Sequence, residues 1–337
     1  QFALAATSLA FEDAGFPEGS IDADRFGVVA GTGIGGMETF VENFSVMTEK
    51  GPRRVSPFFV PKLMPNALAG EIAIQYGLRG ANFGVVSACA SGSHAIGMAA
   101  SLISSGVVDC AIAGGAEAVL LRVTYAGFCR LGALSRRNDE PERASRPFDL
   151  DRDGFVMGEG AGFVILESFA HATARGAHIY AEVAGFGMTA DATHITAPAE
   201  DGAGAARAMR IAMNQARIEP SAVAYVNAHG TSTLLNDRAE TMAIKAAFGD
   251  AAAGLKISST KSQVGHLLGA AGGVEAIATL LSIANEHVPA TLNYETPDPE
   301  CDLDYTPQAV DLPIRAAISN SFGFGGQNAA LLFKRVD

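Results

Sequence analysis

Tryptophan is absent from the 337 residues, and aromatics of all kinds make up only 7%. The core must therefore be built from small and branched side chains, and 38 glycines point to backbone packed close against backbone. Positive charge is scarce: 24 Lys and Arg stand against 36 Asp and Glu, for a net charge of -12. That balance argues against a nucleic-acid binder, and it makes any local basic cluster informative. Cysteine is rare too. Cys89, Cys110, Cys129 and Cys301 show no C-x-x-C spacing, which argues against a disulfide scaffold or a cysteine-rich zinc site. No P-loop, dinucleotide fingerprint or metal-ligand spacing is present, so no cofactor or metal is expected. No uninterrupted apolar run reaches the ~18 residues of a membrane span. The most apolar stretch, 95–121, is broken by Ser101, Asp109 and Glu117 and reads as buried core. No signal peptide is visible, and reduced thiols suit a cytoplasmic compartment, with plastid or mitochondrion left open. The chain begins at Gln1 rather than Met, so an upstream segment is expected.

Strands and helices alternate along the chain. Residues 83–87 read as a strand followed by a small-residue helix over 90–105, then a strand at 107–113 and a Gly-rich strand pair near 154–166. In the second half, 222–228 and 257–259 read as strands, 235–248 and 267–285 as helices, and 314–319 with 329–333 as a strand pair. This alternation predicts parallel sheets covered by helices. The repeated pattern suggests an internal duplication, with halves at 1–175 and 176–337.

Cys89 lies between an apolar strand and the helical run ASGSHAIGMAASLIS, among small neighbours. On position alone it fits a buried core cysteine. It also sits at a helix start, where unpaired N–H groups and the macrodipole lower a thiol's pKa and make it a nucleophile. His229 follows the strand AVAYVNA, and His266 lies in TKSQVGHLLGAAGG; both occupy strand ends, where ligands bind in parallel sheets. Each alone fits a structural histidine. One chemistry requires all three: decarboxylation of a malonyl thioester puts charge on the thioester oxygen, neutral imidazole N–H donors hold it, and the enolate attacks an acyl group on Cys89. Lys261 is placed to orient His266 or a carboxylate such as Glu275. Thr231 and Thr233 either bond their own turn or meet a phosphopantetheine arm. The run Gly323-Phe324-Gly325-Gly326 reads as a gating loop with Phe324 as its bulky part.

With these residues in place, the chain resembles the elongating, two-histidine beta-ketoacyl-acyl-carrier-protein synthases, most closely the synthase II type. The matching stretches are VVSACASGSHAIG, SRPFDLDRDGFVMGEGAG, VNAHGTSTLLNDRAET, SSTKSQVGHLLGAAGGVEA and SNSFGFGGQNA, in the family's order across nearly the whole chain. The resemblance implies an α/β class, duplicated thiolase-like fold layered α-β-α-β-α and a homodimer. It also implies an acyltransferase that elongates fatty acids by two carbons from acyl- and malonyl-loaded acyl carrier protein. It implies Cys89 as acyl acceptor, His229 and His266 in decarboxylation and condensation, and Lys261 and Glu275 as their support. The N–H groups of Cys89 and Phe324 become the oxyanion hole, with Phe324 the gate to the acyl pocket. Thr231 and Thr233 become pantetheine contacts. Ile34, Ala88, Thr124 and Phe128 match acyl-pocket positions, and Arg53 and Arg54 match a carrier-docking region, with Arg130, Arg136 and Arg137 in a second basic stretch.

The family's pattern also places a strand and helix before QFALAATSLAFEDAGF, so the chain as given is expected to lack a central strand of its first sheet. Leu234 replaces a common proline, and Gln327 a frequent threonine. Three other readings compete. A polyketide ketosynthase shares the chemistry. A non-catalytic chain-length partner would have replaced Cys89. A thiolase would carry a second cysteine at the C-terminal Gly-rich loop, which has none.

Overall fold

The computed structural model describes residues 1–336. Its first sheet holds β1 (Phe26–Gly31), β2 (Asn82–Val85), β3 (Cys110–Glu117) and β4 (Gly160–Glu167), in the order β2-β1-β3-β4. Its second holds β5 (Glu182–Ala190), β6 (Tyr225–Asn227), β7 (Lys256–Ser258), β10 (Ala316–Gly323) and β11 (Gln327–Lys334), in the order β5-β11-β10-β6-β7. A short ribbon pairs β8 (His287–Val288) with β9 (Val310–Asp311). In the first sheet β1 pairs parallel with β2 and β3, while β4 closes antiparallel on β3. In the second, β6 pairs parallel with β7 and β10, while β11 runs antiparallel to β10 and β5.

Eleven α-helices complete the described residues. They are α1 (Phe2–Ala14), α2 (Met37–Lys50), α3 (Phe59–Leu63), α4 (Ala67–Tyr76), α5 (Ser91–Ser104), α6 (Arg122–Leu131), α7 (Phe169–Ala174), α8 (Ala203–Ala216), α9 (Leu234–Phe248), α10 (Lys261–Val264) and α11 (Ala271–Asn285). α1 and α4 cover the outer face of the first sheet, and α8 and α9 that of the second. α5 and α11 lie between the sheets, each touching both. The five layers are those of the thiolase-like fold.

The middle layer fits because its facing residues have almost no side chain. A Cβ on Gly92 of α5 would lie 2.7 Å from the Gly273 nitrogen of α11, and one on Gly273 would lie 2.2 Å from the Gly162 carbonyl of β4. The same device seats α8 on its sheet: Cβ atoms on Gly185 and Gly187 would lie 2.0 and 1.9 Å from the carbonyls of Ala212 and Ala208. Such gaps admit only glycine, which accounts for the glycine-rich, tryptophan-free composition.

The structure corrects the sequence reading in four places. β1 and β5 were not read as strands. The 154–166 stretch holds one strand rather than a pair, because Phe155 and Met157 make isolated bridges to Leu134 and His266. The first sheet has no gap at its centre: β1 and β3 pair directly, the strand of the second sheet with no counterpart among the described residues, β5, is an edge strand, and α1 packs on β4 as α8 packs on β11. The segment Leu268–Asn285 is long and apolar enough to span a membrane, with mean hydropathy 1.3, yet 61% of it is buried in the fold. It also carries Glu275, ion-paired with Lys261, and is a core helix.

Gly187→Ala should lower stability by ~1–3 kcal/mol through overpacking against α8. Gly70→Ala, in α4 with nothing within 4 Å of the new methyl, should be neutral or gain up to ~1 kcal/mol. Urea unfolding of the two variants checks the contrast, and equal midpoints would contradict the packing account.

Candidate active site

Three loops from the two sheets converge on one cavity of about 410 Å³. Each carries a residue in the left-handed region beside a chemical group. Ala88, with φ 49°, precedes Cys89. Ser232, with φ 68°, follows the His229-Gly230-Thr231 turn, and Leu268, with φ 50°, lies two residues after His266. Such conformations cost ~1–2 kcal/mol each for non-glycine residues, a strain that collects at functional sites.

Cys89 sits at the turn into α5, 8% exposed, and its Sγ lies 3.1 Å from His266 Nε2. His229 faces His266 at a ring separation of 5.3 Å and 86°. One donor atom from each of the three residues lies within 4.8 Å of the others, so the structure brings the predicted trio together.

The second nitrogen of each ring decides its role. The Leu268 N–H donates to His266 Nδ1 at 3.3 Å, and the Lys261 ammonium lies 3.4 Å from His229 Nδ1. With Nδ1 accepting in both rings, the proton of each neutral imidazole is on Nε2. Both are kept neutral: burial and the Lys261 charge hold His266 well below the ordinary histidine range, and the same two causes with His266 do so for His229. The result is two Nε2–H donors in one cavity, one of them directed at the Cys89 sulfur. Those nitrogens have no lone pair for a metal, so the trio does not suit one.

Lys261 is 1% exposed and ion-paired with Glu275, and burial raises the Glu275 carboxyl against the pull of that ammonium. The sequence reading left Lys261 to His266 or to a carboxylate; it meets His229 and Glu275. Cys89 also departs from expectation. Burial pushes its thiol up to about 12, against the lowering effect of Lys261 and the Phe324 main-chain N–H. Burial outweighs both, which favours the thiol over the thiolate at rest.

The remaining expected residues divide. Ile34, Ala88 and Phe128 line the cavity, as do Thr231, Thr233 and Phe324. Phe324 is partly exposed at its mouth with Leu234 and Leu235. Thr233 also caps α9 by accepting the Asn236 N–H at 3.3 Å, and the two threonine hydroxyls lie 2.9 Å apart. Thr124 does not line the cavity. Its hydroxyl donates to the Val119 carbonyl and accepts the Leu121 N–H at 3.2 Å, closing the start of α6. Arg53 and Arg54 are exposed at the end of α2, and Arg137 is drawn to Glu140. Arg130 and Arg136 are exposed beside Leu131 and Asp153 of the cavity wall.

Two buried carboxylates were missed. Glu240 accepts the N–H groups of His229 at 2.8 Å and Gly230 at 2.7 Å, and burial raises it to about 7. Glu117 accepts from Gly33, Ile34 and Gly269, pinning the Cys89-facing loop to the turn that follows His266. The signal was available: each acid interrupts an otherwise buried face of a strand or helix. Near them Asn227 Oδ1, Glu275 Oε2, Ser319 Oγ and Asn320 Oδ1 are buried without a hydrogen-bond partner; such hard oxygens suit a hard cation or ordered water. A second cluster, Cys110, Glu167 and His171, is closed by Arg175, which binds both Glu167 oxygens.

Residues 1–172 match the beta-ketoacyl synthase N-terminal domain and residues 180–295 its C-terminal domain. The chain belongs to the beta-ketoacyl synthase family. A 3-oxoacyl-[acyl-carrier-protein] synthase 2 from Synechocystis is 51% identical over 99% of this chain and 80% of its own length. The enzyme of that name from Staphylococcus aureus is 53% identical over 100% and 81%. Among solved structures, a type II polyketide ketosynthase in complex with its acyl-carrier protein and bound to the hexaketide superposes with TM-score 0.97 at 40% identity, covering 100% of this chain and 84% of that one. A beta-ketoacyl synthase from Burkholderia phymatum gives 0.91 at 42%, covering 99% and 81%. The histidine geometry thus lies in a ketoacyl synthase scaffold along its whole length.

A buried neutral thiol has a clear signature. Between pH 7 and 10 the alkylation rate of Cys89 by iodoacetamide should climb about tenfold per pH unit, because thiolate is the nucleophile. Peptide mapping of the modified protein measures it, and a plateau near pH 8.5 would contradict the burial argument.

Proposed function

We propose that this chain is a beta-ketoacyl-acyl-carrier-protein synthase of the synthase II type, an acyltransferase that lengthens fatty acyl chains by two carbons. The observation that carries the reading is the pair of Nε2–H donors fixed beside the Cys89 sulfur. Fatty-acid elongation is favoured over polyketide synthesis by identities of 51–53% to synthase 2 enzymes against 40% to the polyketide ketosynthase.

The first half-reaction is thioester exchange. Cys89 attacks the carbonyl of acyl-loaded carrier protein, and the Cys89 and Phe324 N–H groups hold the oxyanion. The C–S bond to the pantetheine thiol breaks as the bond to Cys89 forms. Protons balance without a separate base, since Cys89 releases one and the departing thiol takes one up. The acyl tail lies along Ile34, Ala88 and Phe128, while Thr231 and Thr233 bond the pantetheine arm.

In the second half-reaction the C–C bond of a malonyl thioester breaks and CO2 leaves. The electron pair becomes an enolate whose oxygen accepts from His229 and His266 Nε2–H. A neutral N–H donor serves here because the enolate is strongly basic and both imidazoles are buried, which strengthens the interaction. The enolate carbon attacks the acyl-Cys89 carbonyl. Collapse of the tetrahedral oxyanion expels the Cys89 thiolate, which is reprotonated from solvent, and releases the 3-oxoacyl product on its carrier. Lys261 and Glu275 hold the His229 tautomer. The halves 1–175 and 176–337 act as two repeats of one unit, and two such chains form a homodimer.

Arg53 and Arg54 dock the acidic carrier, with Arg130 and Arg136 beside the cavity mouth, because a protein of net charge -12 needs a local basic patch to attract an anionic partner.

Two tests follow. Cys89→Ala should abolish chain elongation, while His229→Ala and His266→Ala should each slow malonyl decarboxylation by ~100–1000-fold. Radiolabelled CO2 release measures the latter, and normal rates would remove the histidines from the chemistry. Arg53→Glu with Arg54→Glu should weaken carrier binding ~10-fold or more at low salt, with the difference shrinking as salt screens it. Unchanged affinity in low-salt titration would move the docking site elsewhere.

A further inference from the structure

Glu117 ends β3 inside the fold, 2% exposed, yet none of the groups it binds is a charged side chain. Its Oε1 accepts from the Thr32 hydroxyl at 2.8 Å and from the N–H groups of Ile34 at 3.1 Å and Gly35 at 3.3 Å. Its Oε2 accepts from the N–H groups of Gly33 at 2.7 Å and Gly269 at 2.9 Å. Apart from the Thr32 hydroxyl, every donor is a main-chain amide. The five bonds join two segments far apart in the chain: the loop 32–35 that follows β1, and the turn 268–269 that follows His266.

These segments touch backbone to backbone. A Cβ on Gly269 would lie 2.1 Å from the Gly33 nitrogen and 2.6 Å from Glu117 Oε2, and one on Gly33 would lie 3.3 Å from the Ala88 carbonyl oxygen, beside the nucleophile. Each segment then carries a wall of the cavity. Ile34 and Leu268 belong to the same apolar cluster as Cys89, and both line the cavity. Leu268 also supplies the N–H that holds His266 Nδ1. The two oxygens therefore have separable tasks. Oε1 sets where Ile34 stands, and Oε2 ties that wall to the turn behind His266.

We propose that Glu117 is a positioning residue with two roles: through Oε1 it places the Ile34 wall that selects acyl chains by length, and through Oε2 it keeps that wall in register with the His266 turn. The proposal rests on the function above and deepens it by naming what sets the chain preference of the same pocket. A wall discriminates only while it is rigid, since one methylene that fits or fails against it is worth ~10-fold or more.

The test uses the full chain and two readouts: transfer from short and long saturated acyl-carrier proteins to Cys89, followed by intact-protein mass, and CO2 release from malonyl-carrier protein. Glu117→Gln leaves one acceptor, which the two shorter main-chain bonds of the Oε2 position retain. Its NH2 then faces Thr32, whose hydroxyl accepts, and the Ile34 and Gly35 N–H groups, which cannot. The ratio of kcat/KM between the best and worst acyl chains should shrink ~10-fold, with CO2 release within about 2-fold of wild type. Glu117→Leu removes both acceptors and should in addition slow CO2 release ~10–100-fold, as expected for a displaced histidine. Thr32→Val, nearly equal in volume, removes one bond to Oε1 alone. It should show the Glu117→Gln pattern more weakly, and with Glu117→Gln it carries the test if Glu117→Leu does not fold. A wild-type length ratio in folded Glu117→Gln would overturn the proposal, as would equal losses across all chains and CO2 release, or a wild type that takes every length alike. Failure of the wild-type protein to acylate Cys89 at all would instead overturn the functional reading beneath it.

Discussion

A single ammonium group held out of water organises this site. Lys261 is buried with Glu275 as counter-ion and His229 Nδ1 as neighbour. An isolated buried charge costs several kcal/mol, and a partner on one side recovers part of that. What remains is a positive field across the cavity, partly offset by Glu275. It opposes protonation of both imidazoles, fixes the His229 tautomer and favours any negative charge that forms nearby. The same cation therefore makes the histidines donors and makes an enolate or thiolate tolerable. Replacing it by a neutral residue would leave Glu275 unpaired and release His229 to the other tautomer at once.

That field acts on the right atoms only because the two halves of the chain interlock. α5 brings Cys89 and α11 brings Glu275, and they meet where Gly92 and Gly273 leave only backbone between them. Glu117 spans the same seam, bonding the N–H groups of Gly33 and Gly269. His266 is clamped by its main chain, which bonds Val156 and Gly158 of the first half at 2.7 and 2.9 Å. The geometry of the reacting groups is thus a property of helix packing, and small residues at that seam serve catalysis as much as stability.

Much of this was legible in the sequence. Strand–helix alternation gave the layers, and Cys89, His229, His266 and Lys261 fall in stretches whose small neighbours and polar turns mark them. Sequence gives the types and order of groups but not which faces meet, so it could not say that Lys261 serves His229 rather than His266. Nor could it weigh burial against the helix start at Cys89, because desolvation depends on everything packed around the sulfur. Thr124 was misplaced for a similar reason: a threonine near a pocket wall and one closing a helix start look alike in one dimension. β1 escaped notice because FGVVAG, with glycine at two of six positions, lacks the β-branched density of an ordinary strand.

The neutrality of the Cys89 thiol has a consequence for life in air. Peroxides attack thiolates, and exposed, ionised cysteines climb first to sulfenic and then to irreversible sulfinic acid. In the proposed reaction the sulfur waits as a buried thiol and becomes anionic only while a thioester is being exchanged, so it presents little target between turnovers. The burial that raises the thiol of the proposed nucleophile also shields it from peroxide, so the packing around Cys89 bears on its survival as well as on its chemistry.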